Sequence, residues 1–181
     1  MQKIAIITAG GSGSRMGSPI PKQFLLLNQK PLLWYTISAF LEAFRDISII
    51  LVLPQDYMTA GAELVNELQI TNQTTLVVGG STRYHSVQNG IQQIKNHSVV
   101  FVHDGVRCLV TPNLIKRCFE QTIEKGSAIP AVTCTDSVRI LNNDSYKAIN
   151  RDQVKIIQTP QTFLSSILIP AFGSPPSFQR D

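Results

Sequence analysis

Short runs rich in isoleucine and valine recur along the chain, and they restrict its fold more than any other feature. The runs cover residues 3–8, 47–53, 75–78, 99–103 and 128–132. Segments whose apolar residues return every three or four positions, as on the buried face of a helix, separate them at 31–40, 60–68, 84–94 and 112–124. This alternation predicts an α/β fold: a Rossmann-like, doubly wound, mainly parallel sheet flanked by helices, its strands buried on both faces.

In such a sheet ligands bind beyond the carboxyl ends of the strands, so we expect the chemistry in the loops that follow them. A single domain spanning residues 1–181 is expected, because 181 residues with 43% hydrophobic and 15% charged residues are typical of one globular unit. Residues 171–181 contain a glycine and two prolines, and we predict loop or tail there.

Composition argues against several classes of protein and site. The N-terminal apolar stretch is too short for a signal peptide or a membrane span, so we expect a cytoplasmic protein with no membrane partner. Three cysteines without CxxC spacing argue against a disulfide framework and a structural zinc site. The net charge of +4 favours anionic ligands, but the 16 lysines and arginines are scattered. Small phosphorylated molecules are therefore expected, and nucleic acid is not.

The first predicted strand leads into a loop with the composition of a phosphate cradle, the first loop (residues 9–22). Together with the end of the strand it contains Thr8, Ala9, Gly10, Gly11, Gly13, Arg15 and Lys22. Glycines allow backbone N–H groups to converge on phosphate oxygens, while the arginine and the lysine place positive charge on a polyphosphate. The loop matches neither a Walker A motif nor the dinucleotide-binding GxGxxG. The alternative is a tight turn that binds nothing.

A second small-residue loop (residues 79–82) follows the strand predicted at 75–78. Gly80 and Ser81 lead into a helix that carries Ser86, so backbone donors and hydroxyls again stand at the carboxyl end of a strand. A nucleotide base is the ligand that we expect to pack there. A helix N-cap at Ser81 or Thr82 is the alternative, and it is compatible with that role.

The strand predicted at 99–103 is followed by an acid and an arginine. Asp104 is the candidate ligand for Mg²⁺, which is usually held by one or two carboxylates together with phosphate oxygens. Arg107 has the planar fork that suits a phosphate monoester. Strand alternation turns the side chain of His103 away from Asp104, so His103 is expected to be structural.

Residues 137–158 interrupt the alternation of strand and helix. Two short strands are predicted at 138–141 and 146–149, and the four residues between them are asparagine, aspartate and serine. These residue types favour turns, so the sequence predicts a protruding hairpin, the arm.

Ordered motifs along essentially the whole chain resemble those of the 2-C-methyl-D-erythritol 4-phosphate cytidylyltransferases. They are GGxGxRMG followed by PKQ, then GGxxRxxSV, HDxxR and QTPQ. Cys108 stands where the family usually has proline, and Ser81 stands where some relatives have aspartate. The resemblance implies that Arg15 and Lys22 are catalytic residues for transfer from CTP. It also implies that a glycine and two serines, Gly80, Ser81 and Ser86, contact the cytosine.

The same resemblance implies a homodimer in which the arm of one subunit reaches the active site of the other. Arg151 would approach the neighbouring acceptor phosphate as a third catalytic residue. Four residues would bind the acceptor: Asp104, Arg107, Ser137 and Thr159. Relatives continue beyond the end of this chain into a segment whose lysine touches the triphosphate, so the domain is expected to lack the family's C-terminal end.

The reaction expected from this resemblance joins the cytidylyl group of CTP to 2-C-methyl-D-erythritol 4-phosphate and releases pyrophosphate, with Mg²⁺ as cofactor. A ribitol 5-phosphate cytidylyltransferase is the nearest alternative, because it would share the phosphate cradle. A purine or uridine nucleotidyltransferase would leave HDGVR and QTPQ unexplained. A catalytically silent nucleotide-binding or dimerisation module is the alternative from another class, and a nucleic-acid binder is the weakest one.

Overall fold

The computed structural model describes residues 1–11 and 20–173. Its elements in chain order are β1 (Gln2–Thr8), β2 (Leu26–Leu27), β3 (Lys30–Pro31), α1 (Leu32–Ala43), β4 (Ser48–Leu53), α2 (Met58–Glu67), β5 (Thr74–Val78), α3 (Arg83–Ile91), β6 (Ser98–Asp104), α4 (Pro112–Lys125), β7 (Ser127–Ala128), β8 (Ala131–Thr133), β9 (Val138–Asn142), β10 (Ser145–Ile149), β11 (Lys155–Ile157), β12 (Gln161–Leu164) and α5 (Ser165–Ala171). The four predicted helices and the first four predicted strands are present, with ends shifted by up to three residues.

The central sheet has the strand order β5-β4-β1-β6-β12-β7. The first four strands in this order are parallel, whereas β12 runs antiparallel to both β6 and β7. Successive side chains of a strand point to opposite faces, so β1 serves two cores. Ala5 and Ile7 pack with α1, α2 and α4, while Ile4 and Ile6 pack with α3 and α5. The predicted doubly wound, mainly parallel α/β fold is confirmed.

One predicted strand is wrong in its extent. Residues 128–132 form two separate strands, because Pro130 lies between them and has no N–H for a sheet ladder. β7 pairs with β12, whereas β8 pairs with β11 at the base of the arm. Burial on both faces holds for β1, β4 and β6 but is wrong for β5, which lies at the edge of the sheet, and for β8, where Val132 is 50% exposed.

Most of the loop or tail predicted for residues 171–181 lies outside the described residues, which end at Gly173. Ala171 differs from the prediction, because it is the last residue of α5, which packs Leu168 against the core, whereas Phe172 and Gly173 follow the helix. β12 and α5 were not predicted, because a four-residue strand beside a seven-residue helix has no periodicity long enough to read.

The predicted hairpin is present as β9 and β10. Asn142 pairs with Ser145 across a two-residue turn, in which Asn143 has a φ of 52°. Asparagine tolerates this left-handed conformation better than most residues do, so the turn has suitable chemistry. No helix within residues 1–11 and 20–173 combines the length and the apolar character needed to cross a membrane.

Candidate active site

Backbone hydrogen bonds hold together the loops that follow the parallel strands. The N–H of Gly79 donates to the carbonyl of Leu53 at 2.8 Å, which joins the ends of β5 and β4. The N–H of Gly105 donates to the carbonyl of Thr8 at the same distance and joins the ends of β6 and β1. The described start of the first loop, the second loop and the loop after β6 therefore lie together where the parallel strands end, and we call this end of the sheet the carboxyl edge.

The first loop is anchored by a buried glutamine. The Nε2 of Gln23, which is 3% exposed, donates to the carbonyls of Ala9 at 2.5 Å and Gly11 at 3.2 Å. Gln23 follows Lys22 in a short 3-10 helix, so its two bonds hold the end of the first loop, where the half-buried Lys22 lies, against Ala9 and Gly11 at its start. Gln23 is the last residue of the PKQ motif, and the sequence alone predicted no role for it.

The first and second loops approach each other through glycines. A β-carbon added to Gly10 would lie 3.2 Å from the Oγ of Ser86 and 3.6 Å from the Cα of Gly79, so a side chain would crowd this junction. Ser86 is 4% exposed, and its Oγ accepts the N–H of Gly80 at 3.1 Å. Of the other residues predicted for the phosphate cradle, Gly13 and Arg15 lie outside the described residues.

The second loop ends in a capped helix. The Oγ1 of Thr82 accepts the N–H of His85 at 3.2 Å, so Thr82 is the N-cap of α3. The exposed Ser81 has its Oγ 3.0 Å from the Nδ1 of His85. Ser81 is thus held by a histidine one turn ahead, a contact that sequence reasoning did not identify.

Asp104, the last residue of β6, lies between two arginines. The Nε of Arg83 donates to its Oδ1 at 2.9 Å, and the Nε of Arg107 donates to its Oδ2 at 2.8 Å. Burial by itself would raise the pKa of Asp104, but the charges and hydrogen bonds of the two guanidinium groups outweigh burial and keep this pKa below its usual value. Asp104 is therefore ionised at neutral pH.

Two partners in this ion-pair cluster were missed by sequence reasoning. Arg83 is the arginine of the GGxxRxxSV motif and Gln158 is the first residue of QTPQ, and the sequence alone predicted no role for either. The Nη1 of Arg107 donates to the Oε1 of Gln158 at 2.8 Å, which connects the cluster to the base of the arm. These contacts join residues 21 and 51 positions apart, so no local sequence pattern announces them.

Asp104 is the residue of this cluster that would hold a magnesium ion bound also to phosphate oxygens. Among residues 1–11 and 20–173 no cluster of three or more histidine, cysteine, aspartate or glutamate side chains could hold a metal ion, so phosphate oxygens or water would have to supply the other ligands of an ion on Asp104. An ionised carboxylate has about four lone-pair sites. The two guanidinium N–H groups occupy one site on each oxygen, and the others remain for a cation.

His103 lies on the opposite face of β6 from Asp104. Its ring is fully buried 5.2 Å from the ring of Phe40, and its Nε2 lies 3.2 Å from the carbonyl oxygen of Arg107. Burial lowers the pKa of His103 to about 4, because a charged imidazole would lose its hydration. His103 is therefore neutral at pH 7 and contacts the backbone of the loop after β6 from the buried side of the sheet.

The remaining predicted residues lie on or beside the arm. The Nη1 of Arg151 donates to the carbonyl of Thr135 at 3.0 Å, and Ser137 is exposed. Among the described residues no hydrogen bond joins Arg151 or Ser137 to Asp104. Thr159 is 8% exposed, and its Oγ1 has no hydrogen-bond partner in the described part of the chain.

This chain is similar to known proteins of one named family. Residues 3–176 match the family model described as 2-C-methyl-D-erythritol 4-phosphate cytidylyltransferase. The enzyme of that name from Azobacteroides pseudotrichonymphae is 44% identical over 94% of this chain and 77% of the relative. The one from Bacteroides thetaiotaomicron is 39% identical over 96% of this chain and 79% of the relative.

A solved structure supports the same assignment. The crystal structure of 4-diphosphocytidyl-2C-methyl-D-erythritol synthase from Anaerococcus prevotii has a TM-score of 0.82 at 26% identity. The alignment covers 95% of this chain and 75% of that one. The order of the motifs, the carboxyl edge at which they meet and the match over residues 3–176 lead to one conclusion: the chain belongs to the 2-C-methyl-D-erythritol 4-phosphate cytidylyltransferase family.

Proposed function

We propose that the protein transfers the cytidylyl group of CTP to 2-C-methyl-D-erythritol 4-phosphate, giving 4-diphosphocytidyl-2-C-methyl-D-erythritol and pyrophosphate in the non-mevalonate route to isoprenoid precursors. The observation that carries this proposal is the family match over residues 3–176. The carboxyl edge supports it, because a phosphate-type loop, a small-residue loop and a carboxylate with two arginines meet there. The cytoplasmic location expected from the sequence stays a prediction.

In this reaction an oxygen of the acceptor phosphate attacks the α-phosphorus of CTP in line, and pyrophosphate leaves. No covalent intermediate with the protein is required. Catalysis then depends on positioning and on neutralising the charge that spreads over the phosphoryl oxygens. Lys22 and Arg15 supply that charge together with the backbone N–H groups of the first loop. The glutamine anchor beside Lys22 favours such a role, because a preorganised donor stabilises the transition state best.

The second loop is proposed to hold the base. Gly80, Ser81 and Ser86 occupy the positions of the family's cytosine contacts. Ser86 would act mainly by holding the Gly80 N–H and the loop in place, since its hydroxyl is buried and already bonded. Ser81 is exposed and its hydroxyl is oriented by His85, so it is the serine of this loop that can reach the base.

Asp104 is proposed to hold Mg²⁺ together with phosphate oxygens of CTP. A bound magnesium ion would neutralise phosphate charge and orient the phosphates for in-line attack. Arg107 would bind the phosphate of the acceptor. The hydroxyls of Ser137 and Thr159 would contribute further contacts.

The arm is proposed to complete the active site of a second copy, so that the working protein is a homodimer. Arg151 of one copy would then approach the acceptor phosphate held by the other. This proposal is supported by the position of Arg151 on the arm, where its hydrogen bond leads to Thr135 and not to Asp104. In each dimer, Lys22 and Arg151 of one active site would come from different chains.

Subunit mixing tests the shared site. Lys22→Ala and Arg151→Ala should each inactivate the homodimer. A mixed dimer, however, contains one site in which both residues are intact. Random exchange at equal concentrations should therefore restore about a quarter of the parent activity, because half of the dimers are mixed and each has one complete site of two. No recovery after verified exchange would contradict the shared site.

Pyrophosphate release from CTP tests the proposed reaction itself. With Mg²⁺ and 2-C-methyl-D-erythritol 4-phosphate we expect turnover, and with ribitol 5-phosphate we expect little. Lys22→Ala should lower kcat by about a hundredfold or more, as expected when a preorganised cationic donor is lost. Lys116→Ala, on the exposed side of α4, is the matched control. Binding of CTP without pyrophosphate release with either acceptor would favour the catalytically silent module.

A further inference from the structure

Asp104 is paired with two arginines that reach it from different parts of the chain. Arg107 is three residues further along the same strand and loop, and its contact is local. Arg83 is the first residue of α3, so its contact crosses from the second loop to the end of β6. The side chain of Asp104 is only 24% exposed, whereas both arginine side chains are 45% exposed. The two cations are therefore more accessible than the carboxylate that they share.

The two arginines have different freedom to leave Asp104. Arg83 follows a fixed loop, which is held by the bond between Gly79 and Leu53, and it lies within the cap that joins Thr82 to the N–H of His85. Arg107 lies in an exposed turn, and its guanidinium already divides its donors between Asp104 and Gln158. Because Arg107 also donates to Gln158, its guanidinium can leave Asp104 without losing every side-chain hydrogen bond, and Arg107 is therefore the arginine that can change partners.

The proposed function sets a requirement that one arginine alone does not meet. If Arg107 turns its fork to an acceptor phosphate, Asp104 loses one of its two guanidinium partners. The proposed Mg²⁺ would supply charge but no hydrogen-bond donor, so without a second arginine a carboxylate that is only 24% exposed would lose the hydrogen bonds that orient it. With a second arginine in place, the carboxylate stays paired while Arg107 binds phosphate.

We infer that Arg83 is a positioning residue, which holds the Asp104 carboxylate and so fixes the loop after β6 and releases Arg107 to bind the acceptor phosphate. This inference rests on the proposed function for its effect on catalysis. It predicts a larger effect on one substrate: losing Arg83 leaves Arg107 as the single arginine on Asp104, and the acceptor must then compete with that carboxylate. CTP should be affected less, because Asp104 would reach it only through Mg²⁺ and its other contacts are assigned to the first and second loops.

Steady-state kinetics of Arg83→Met test this effect. Mutating a residue that holds a ligand-binding group in place typically costs ten- to a hundredfold in affinity or activity. The KM of the acceptor should therefore rise about tenfold or more, while the KM of CTP stays within about twofold. Arg83→Lys should restore part of the loss, because it keeps the charge but not the fork. Arg117→Met, an exposed arginine on α4, is the matched control and should leave both constants unchanged. An unchanged acceptor KM, or an equal rise in both constants, overturns the inference.

Amide hydrogen exchange gives a readout that does not depend on turnover. In the ligand-free Arg83→Met protein the amides of residues 105–108 should exchange faster than in the parent, whereas Arg117→Met should not change them. Equal exchange in parent and Arg83→Met overturns the inference even if the kinetics change. A parent protein that releases no pyrophosphate with either acceptor refutes the proposed function, and the exchange of residues 105–108 still decides whether Arg83 holds the loop.

Discussion

The parallel strands and the arm place apolar side chains in opposite environments. Phe101 of β6 is fully buried, with the ring of Phe40 at 5.7 Å. On the arm, Leu141 and Tyr146 are opposite each other in the hairpin register, yet they are 60% and 66% exposed. The strands are thus stabilised by burial within the chain, whereas the hairpin is ordered by its turn and its ladder.

This difference indicates that contacts within its own chain stabilise the arm only weakly. An isolated two-stranded hairpin is marginally stable in water, and paired apolar side chains gain little free energy while they face solvent. A second copy of the chain that covers Leu141 and Tyr146 would provide the missing burial. The proposed homodimer would provide this burial, and four measurements test the difference between the strands and the arm.

The largest difference is expected for aromatic truncations in the two regions. Phe101→Ala should lower the free energy of unfolding by about 3–5 kcal/mol, because it leaves a cavity in a packed core. Tyr146→Ala should change it by less than about 0.5 kcal/mol in the monomer, as for most exposed sites. Urea unfolding at a concentration where the protein is monomeric measures both. Equal losses would show that the arm is packed against its own chain.

Acid should lower the free energy of unfolding through protonation of His103. Its folded pKa of about 4 lies below the ordinary value of 6.5, so the unfolded chain takes up the proton first as pH falls. The contribution of His103 is complete above about pH 6.5, and about 3 kcal/mol is lost as pH falls from there to about 4. With EDTA present to remove divalent cations, His103→Gln should flatten the pH dependence of the unfolding free energy in this range. An unchanged slope would assign the acid sensitivity to other groups.

A polar substitution on the arm should act on association instead of folding. Leu141→Ser should raise the dissociation constant of the dimer tenfold or more, which corresponds to about 1.4 kcal/mol. The unfolding free energy of the monomer should stay within about 0.5 kcal/mol of the parent value. Sedimentation velocity over a concentration series measures the first quantity. Identical sedimentation of parent and variant would remove this part of the arm from the interface.

The smallest effect is expected for a surface ion pair beside the strands. The Nζ of Lys3 lies 2.7 Å from the Oδ2 of Asp46, whose side chain is 73% exposed. The hydrogen bond from Lys3 lowers the pKa of Asp46, so the pair contributes above about pH 4 and is lost in acid. Asp46→Asn should cost no more than about 0.5 kcal/mol at pH 7, because water and salt screen exposed pairs. A larger loss in urea unfolding would mean that surface charge, and not burial alone, stabilises this region.

Sequence reasoning succeeded where the signal is local and repeated. The Ile- and Val-rich runs identified β1, β4, β5 and β6, and the turn residues identified the arm. It failed at residues 128–132, where apolar composition predicted one strand although Pro130 divides the run between two sheets. For the candidate site, motifs located all three loops, but Gln23 and Arg83 received no role because their partners are distant in sequence.

The α/β class, the order of the elements and the loops that carry charged and small residues can all be derived from the amino-acid sequence, since periodicity and turn chemistry act over a few neighbouring residues. Three features become visible only in the folded protein: Arg83 joins Arg107 on Asp104, Gln23 anchors the first loop, and β12 enters the sheet antiparallel to β6. Those contacts depend on where the sheet brings distant residues together, and hydrogen bonds and ion pairs form only at that final separation.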